Sequence, residues 1–195
     1  MGEDLNDLLV RIRACRICES KLPLGPRPVL VADTNARILV AGQAPGKRVH
    51  ESGIPWDDAS GKRLRGWLGL TEKQFYDPAK VALIPMGFCF PGSGPSGDNP
   101  PTPDCRMTWH DTLLSYLPNL RLRLIIGQYA QDYHLSGSSK RSVTQTVAAW
   151  RQYAPAIYPI PHPSPRNQRW LASNPWFESE LVPHMQLAVR DAIEI

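Results

Sequence analysis

Four short apolar runs, each ended at once by glycine or proline, limit what this chain can become. Residues 38–41 close on Gly42, residues 80–84 on Pro85, residues 122–126 on Gly127, and residues 156–160 run into Pro161. Runs of this length are too short to bury one face of a helix and fit buried strands. Helical patterns separate them: Glu3 to Arg16, Arg63 to Leu68, Arg106 to Leu117, Tyr129 to Leu135, Val143 to Tyr153 and Phe177 to Ile193. Strands alternating with helices predict a three-layer α/β/α fold around a central four-stranded parallel sheet, joined by right-handed crossovers. Such sheets bind ligands beyond the carboxyl ends of their strands. The turns carrying Gln43, Met86 to Phe88, Gln128 and His162 are therefore expected to face one crevice.

At 195 residues, the chain is expected to form one domain spanning residues 1–195. Its formal charge of +4 and pI near 9.0 lean toward polyanionic partners without requiring one. No apolar run reaches membrane-spanning length, and the first ten residues lack a signal-peptide pattern, so a cytoplasmic, monomeric protein with no membrane segment is expected. In that compartment, four cysteines read as ligands or core residues before disulfides. Cys15 and Cys18 form a C-x-x-C at the end of the first helix, while Cys89 and Cys105 flank PGSGPSGDNPPTP, a loop by composition. Four thiolates suit an iron–sulfur cluster or a structural zinc equally, and free core thiols are the third option.

The turn after the first strand, Gly42-Gln-Ala-Pro-Gly46, has glycines that let backbone approach a ligand and a proline that fixes chain direction. Ser60 reads as a helix cap, leaving backbone N–H groups for an anion. After the fourth strand comes His162-Pro-Ser-Pro-Arg-Asn167, a histidine whose backbone is restricted by prolines on both sides.

GQAPG and HPSPRN, in this order along most of the chain, resemble the uracil-DNA glycosylase superfamily. There the first motif holds the attacking water, and the late His-Pro motif stabilises the departing base. The C-x-x-C, the distant cysteine pair and the aromatic of Gly53-Ile-Pro-Trp56 resemble the iron–sulfur branch, family 4, and HPSPRN resembles the single-strand-selective branch. This resemblance implies a glycosylase acting on DNA with a flipped-out deaminated base, uracil first, hypoxanthine or xanthine as alternatives. It implies Gln43 positioning water and His162 stabilising the base, with Gly42, Ala44, Trp56, Met86 and Gly87 around the base. Ser60, Ser164, Arg166, Asn167 and Arg169 would grip DNA. Cys15, Cys18, Cys89 and Cys105 would hold a [4Fe–4S] cluster, with structural zinc as the alternative.

Three positions depart from the family. Family 4 has glutamate where this chain has Gln43, family 1 has aspartate where it has Ala44, and uracil readers carry asparagine where it has Pro85. A glutamine holds a water but cannot take its proton, so Asp57 and His50 stand in reserve, with Glu51 and Asp58 in the same loop. The departures also keep open an inactive damaged-DNA-binding module, or a hydrolase of free nucleosides. For catalysis, the chemistry needs a donor where charge develops on the base, and a neutral imidazole N–H suffices.

Overall fold

The computed structural model describes residues 4–95, 97–138, 140 and 142–194. The sheet is four parallel strands in the order β2-β1-β5-β6, formed by β1 (Ile38–Ala41), β2 (Val81–Leu83), β5 (Leu122–Ile126) and β6 (Ile157–Ile160). Ile38 pairs with Val81 on one side and Leu122 on the other, and Arg123 pairs with Ile157. Pro159 sits in β6, an edge strand, where a missing N–H costs no ladder bond on the open side. The other edge, β2, is covered by Val31, which exchanges both backbone hydrogen bonds with Leu83 at 3.0 and 2.8 Å.

Alternation along each strand divides the core into two layers. Ile38, Val40, Val81, Leu83, Leu122, Leu124, Ile126, Tyr158 and Ile160 pack on one face. Leu39, Ala41, Ala82, Ile84 and Ile125 pack on the other. Both faces are dry, which is why the strands read as unbroken apolar runs. The first face is covered by α3 (Ala59–Leu68), α4 (Glu72–Phe75), α8 (Val143–Ala148), α9 (Gln168–Ser173) and α10 (Val182–Ile193). The second carries α1 (Leu5–Arg13), α7 (Gly127–His134) and a helical run from α5 (Pro103–Cys105) through the π turn Arg106–His110 into α6 (Asp111–Ser115).

The expected α/β/α architecture is therefore present, with differences at element ends. The first helix begins at Leu5, because Asp4 and Asp7 form a capping box; Glu3 lies outside the described residues. The proline-rich loop contains a short hairpin, β3 (Ser93–Gly94) and β4 (Gly97–Asp98), closed by Ser93 Oγ donating to Asp98 Oδ1 at 2.8 Å. A six-residue helix, α2 (Lys47–Ser52), directly follows the GQAPG turn. Ser60 is not the cap of α3: Asp58 is, its Oδ1 accepting from Gly61 N at 2.8 Å. A carboxylate already occupies that helix start, so it repels an anion instead of inviting one.

Trp56 is held by two glycines. It has φ of 59°, and among the described residues it is the one non-glycine at positive φ, a conformation costly for a bulky side chain. A Cβ on Gly61 would lie 1.8 Å from the Trp56 carbonyl oxygen, and one on Gly42 would lie 2.9 Å from its indole. Tyr76 Oη braces the same loop by donating to the Pro55 carbonyl at 3.0 Å.

Two stability measurements check this packing. Gly61→Ala should cost about 2–3 kcal/mol or more, lowering Tm by roughly 4–12 °C. Gly66→Ala, in the same helix with nothing within 4 Å, should instead raise Tm through helix propensity, by about 0.5–1 kcal/mol of stability. The second test concerns His134, whose pKa is pushed down to about 3 by burial and then by Arg123 and His110. The unfolded imidazole titrates near its ordinary 6.5, so the stability it lends is full above that pH and is lost as pH falls toward 3. His134→Gln should flatten the decline of Tm with pH in this window.

Candidate functional site

A cleft of about 410 Å³ opens at the carboxyl ends of the strands. Its walls come from the GQAPG turn, Pro55 and Trp56 ahead of α3, Pro85 after β2, the β4 hairpin and the HPSPRN segment. Gln43, His162 and Asn167 also line a second cleft of about 310 Å³, shared with Gly127, Gln128 and Tyr129. In the order β2-β1-β5-β6, chain connections leave β1 and β5 in opposite directions, and the second cleft lies beyond that divide. The first and last motifs thus meet across one opening.

His162 is oriented by its own loop. Ser164 N donates to His162 Nδ1 at 3.2 Å, which makes Nδ1 the acceptor and leaves the proton on Nε2. Asn167 Nδ2 donates to the His162 carbonyl at 2.7 Å, and Arg63 Nη1 donates to the Ser164 carbonyl at 3.1 Å. Burial lowers the pKa of His162, against the raising influence of Asp58 and Asp98. The ring is therefore neutral at neutral pH, with Nε2–H as a donor. The Trp56 ring stands 5.8 Å from it, centroid to centroid, at an interplanar angle of 32°.

Gln43 is fixed from the opposite side. Its Nε2 donates to the carbonyls of Asn99 at 2.9 Å and Asp98 at 3.4 Å, so the amide nitrogen is spent on the hairpin and Oε1 is the acceptor that remains. Its own carbonyl accepts from Gly87 N at 2.9 Å, and the Gly42 carbonyl accepts from Met86 N at 2.8 Å.

These last two bonds correct an expectation. Met86 and Gly87 do not line either cleft. Met86 is buried in the core, Gly87 packs against Pro101 and Ala44, and their N–H groups are consumed by the turn after β1. Pro85 and Leu83 form the wall instead. Gly42, Ala44, Trp56, Ser60, Ser164, Arg166 and Asn167 all line the first cleft. Arg169 is exposed and lines neither. Of the reserve groups, Asp57 pairs with Arg48 at 3.9 Å and Glu51 with Lys47 at 3.9 Å, while His50 is buried beside Phe90; none of the three lines a cleft. Asp58 does. Sequence reasoning missed Asp98 and Arg63. Asp98 is the one charged residue in the span 91–103, which was the available signal.

Cys15, Cys18, Cys89 and Cys105 surround a separate small cavity, walled otherwise by Leu22, Pro26, Pro28, Phe88, Pro91 and Thr102. Burial pushes the Cys89 thiol up to about 12 and the Cys105 thiol up to about 11. Lys21 Nζ to Asp104 Oδ2, at 3.1 Å, and Cys18 Sγ to Thr102 Oγ1, at 3.2 Å, tie the two cysteine pairs together. Among the described residues, no three His, Cys, Asp or Glu side chains are arranged to hold a single metal ion. Four soft donors ring the cavity, a set that an iron–sulfur cluster and a structural zinc both accept.

The family model described as the Uracil DNA glycosylase superfamily matches residues 28–186. A solution NMR structure from Methanosarcina acetivorans, named "a putative Uracil DNA glycosylase", is similar at 18% identity and a TM-score of 0.46, covering 83% of this chain and 98% of that one. The match of the family model takes in both motif turns and all four strands of the sheet. The chain belongs to the uracil DNA glycosylase superfamily.

Proposed function

We propose that this protein is a monofunctional DNA glycosylase that hydrolyses the bond between a flipped-out deaminated base and its sugar. One observation carries the reading: Gln43 and His162, placed by opposite ends of the chain, line the same opening at the sheet's carboxyl edge. Breaking that bond puts negative charge on the base and positive charge on the sugar. The Nε2–H of His162 is a fixed donor for the first, and Gln43 Oε1 is a fixed acceptor for water on the other side. Trp56 offers a face for stacking, worth about 1–3 kcal/mol per base. Among the described residues, the lining of both clefts contains no lysine, whose amine would form the covalent imine of a strand-cleaving glycosylase.

Uracil, hypoxanthine and xanthine each present a carbonyl to the histidine. The N–H groups of Met86 and Gly87 are already bonded within the turn, and Pro85 offers no polar side chain. Selectivity among the three bases rests on shape and stacking, so it falls well short of the roughly 10⁴–10⁵-fold available to a site that hydrogen-bonds its substrate. Ser164, Arg166 and Asn167 at the rim, with the exposed Arg169 two residues beyond them, supply polar contacts to the DNA backbone.

The four thiols are assigned to a [4Fe–4S] cluster, with structural zinc as the alternative. When bound, such a group holds four thiolates, which its positive iron ions stabilise despite the raised thiol pKa values. Its role is to tie the N-terminal helix to both ends of the loop that carries the hairpin.

Two experiments test these assignments. With oligonucleotides holding a single uracil, hypoxanthine or xanthine, wild type should release the base and leave an abasic site. His162→Ala should slow single-turnover release by about 10²–10³-fold with little change in DNA affinity; no release from any substrate by wild type rejects the activity. Chemical analysis of the purified protein should find iron and acid-labile sulfide in equal amounts, together with visible absorbance that Cys89→Ser abolishes. Zinc in their place would reject the cluster.

A further inference from the structure

The reaction proposed above needs an acceptor for the proton of its water, and the GQAPG turn has none: Gln43 is an amide and Ala44 carries only a methyl. Two carboxylates line the first cleft, Asp58 and Asp98. Asp58 is engaged in starting α3, where it caps Gly61. Asp98 is presented by the hairpin, with Oδ1 accepting from Ser93 Oγ. Its Oδ2 lies over the GQAPG turn, 3.4 Å from where a side chain at Gly46 would begin. The same piece of backbone grips the Gln43 amide through the carbonyls of Asp98 and Asn99. One unit thus carries both the carboxylate and the clamp on the water-holding amide.

We infer that Asp98 is the general base of the reaction, supplying from the cysteine-flanked loop the carboxylate that the first motif lacks. This assignment rests on the glycosylase reading. In the step, the water held by Gln43 bonds through its oxygen to the sugar C1′ and gives a proton to Asp98 Oδ2. The C1′–N bond breaks, and its electron pair leaves with the base, whose carbonyl oxygen is held by His162 Nε2–H. The base then takes a proton from solvent. The charged and titratable groups around Asp98 are His162, Asp58 and Arg166, whose Nη1 lies 3.2 Å from where a Cβ on Gly97 would stand.

The test is single-turnover base release by wild type, Asp98→Asn and Asp58→Asn between about pH 5 and 9, with DNA affinity measured alongside. The asparagine of Asp98→Asn keeps an oxygen for Ser93 and leaves the backbone contacts to Gln43 in place. It should lower the rate by about 10²-fold or more while affinity holds. Asp58→Asn should lose at least about tenfold less. A rate for Asp98→Asn within about threefold of wild type at every pH overturns the assignment. So does a rate loss matched by lost affinity, or a larger rate loss in Asp58→Asn than in Asp98→Asn. Inactive wild type would defeat the glycosylase reading itself, and this inference with it.

Discussion

Two backbone hydrogen bonds, Met86 N to Gly42 O and Gly87 N to Gln43 O, continue the pairing of β1 and β2 past the ends of both strands. They decide which way the first motif faces. With its carbonyls committed to the segment after β2, the turn presents the Gln43 side chain to the cleft and packs Gly87 behind Ala44. Buried backbone groups left unpaired here would each cost about 1–3 kcal/mol, so the register is well determined. The hairpin then clamps the Gln43 amide from above, and the sheet supports it from below.

The last motif is organised by shorter-range contacts. Prolines restrict the chain around His162, while Ser164 and Asn167 bond to it from within the same loop. Arg63 joins that loop to α3, reaching the Ser164 carbonyl and Gln168 Oε1. Because α3 also fixes Trp56 through Gly61, the ring that can stack and the ring that can donate are positioned by one helix. Their common support explains how two residues 106 positions apart in sequence come within stacking range.

Much of this was legible in the sequence, for a physical reason. Strands buried on both faces leave unbroken apolar runs, so residues 38–41 and 122–126 could be placed to the residue. Motif turns at the ends of such strands converge by topology, which located Gln43 and His162. Pairings that depend on backbone groups left no such trace. Met86 and Gly87 resembled pocket residues because nothing in their side chains shows that their N–H groups are spent. Ser60 resembled a cap because Asp58, two residues earlier, is equally suited to the role and won the contact. Asp98 lay hidden in a segment whose composition reads as plain loop, although its flanking cysteines meet at one cavity.

The bracketing of Trp56 has a consequence for redesign of this pocket. At position 42 the obstacle to a larger residue is the indole ring, whereas at position 61 it is the carbonyl oxygen of the Trp56 backbone. Trimming the tryptophan would therefore release the first glycine for diversification and leave the second as constrained as before. The two ends of the bracket are separable targets: one follows the side chain, and the other follows the path of the chain itself.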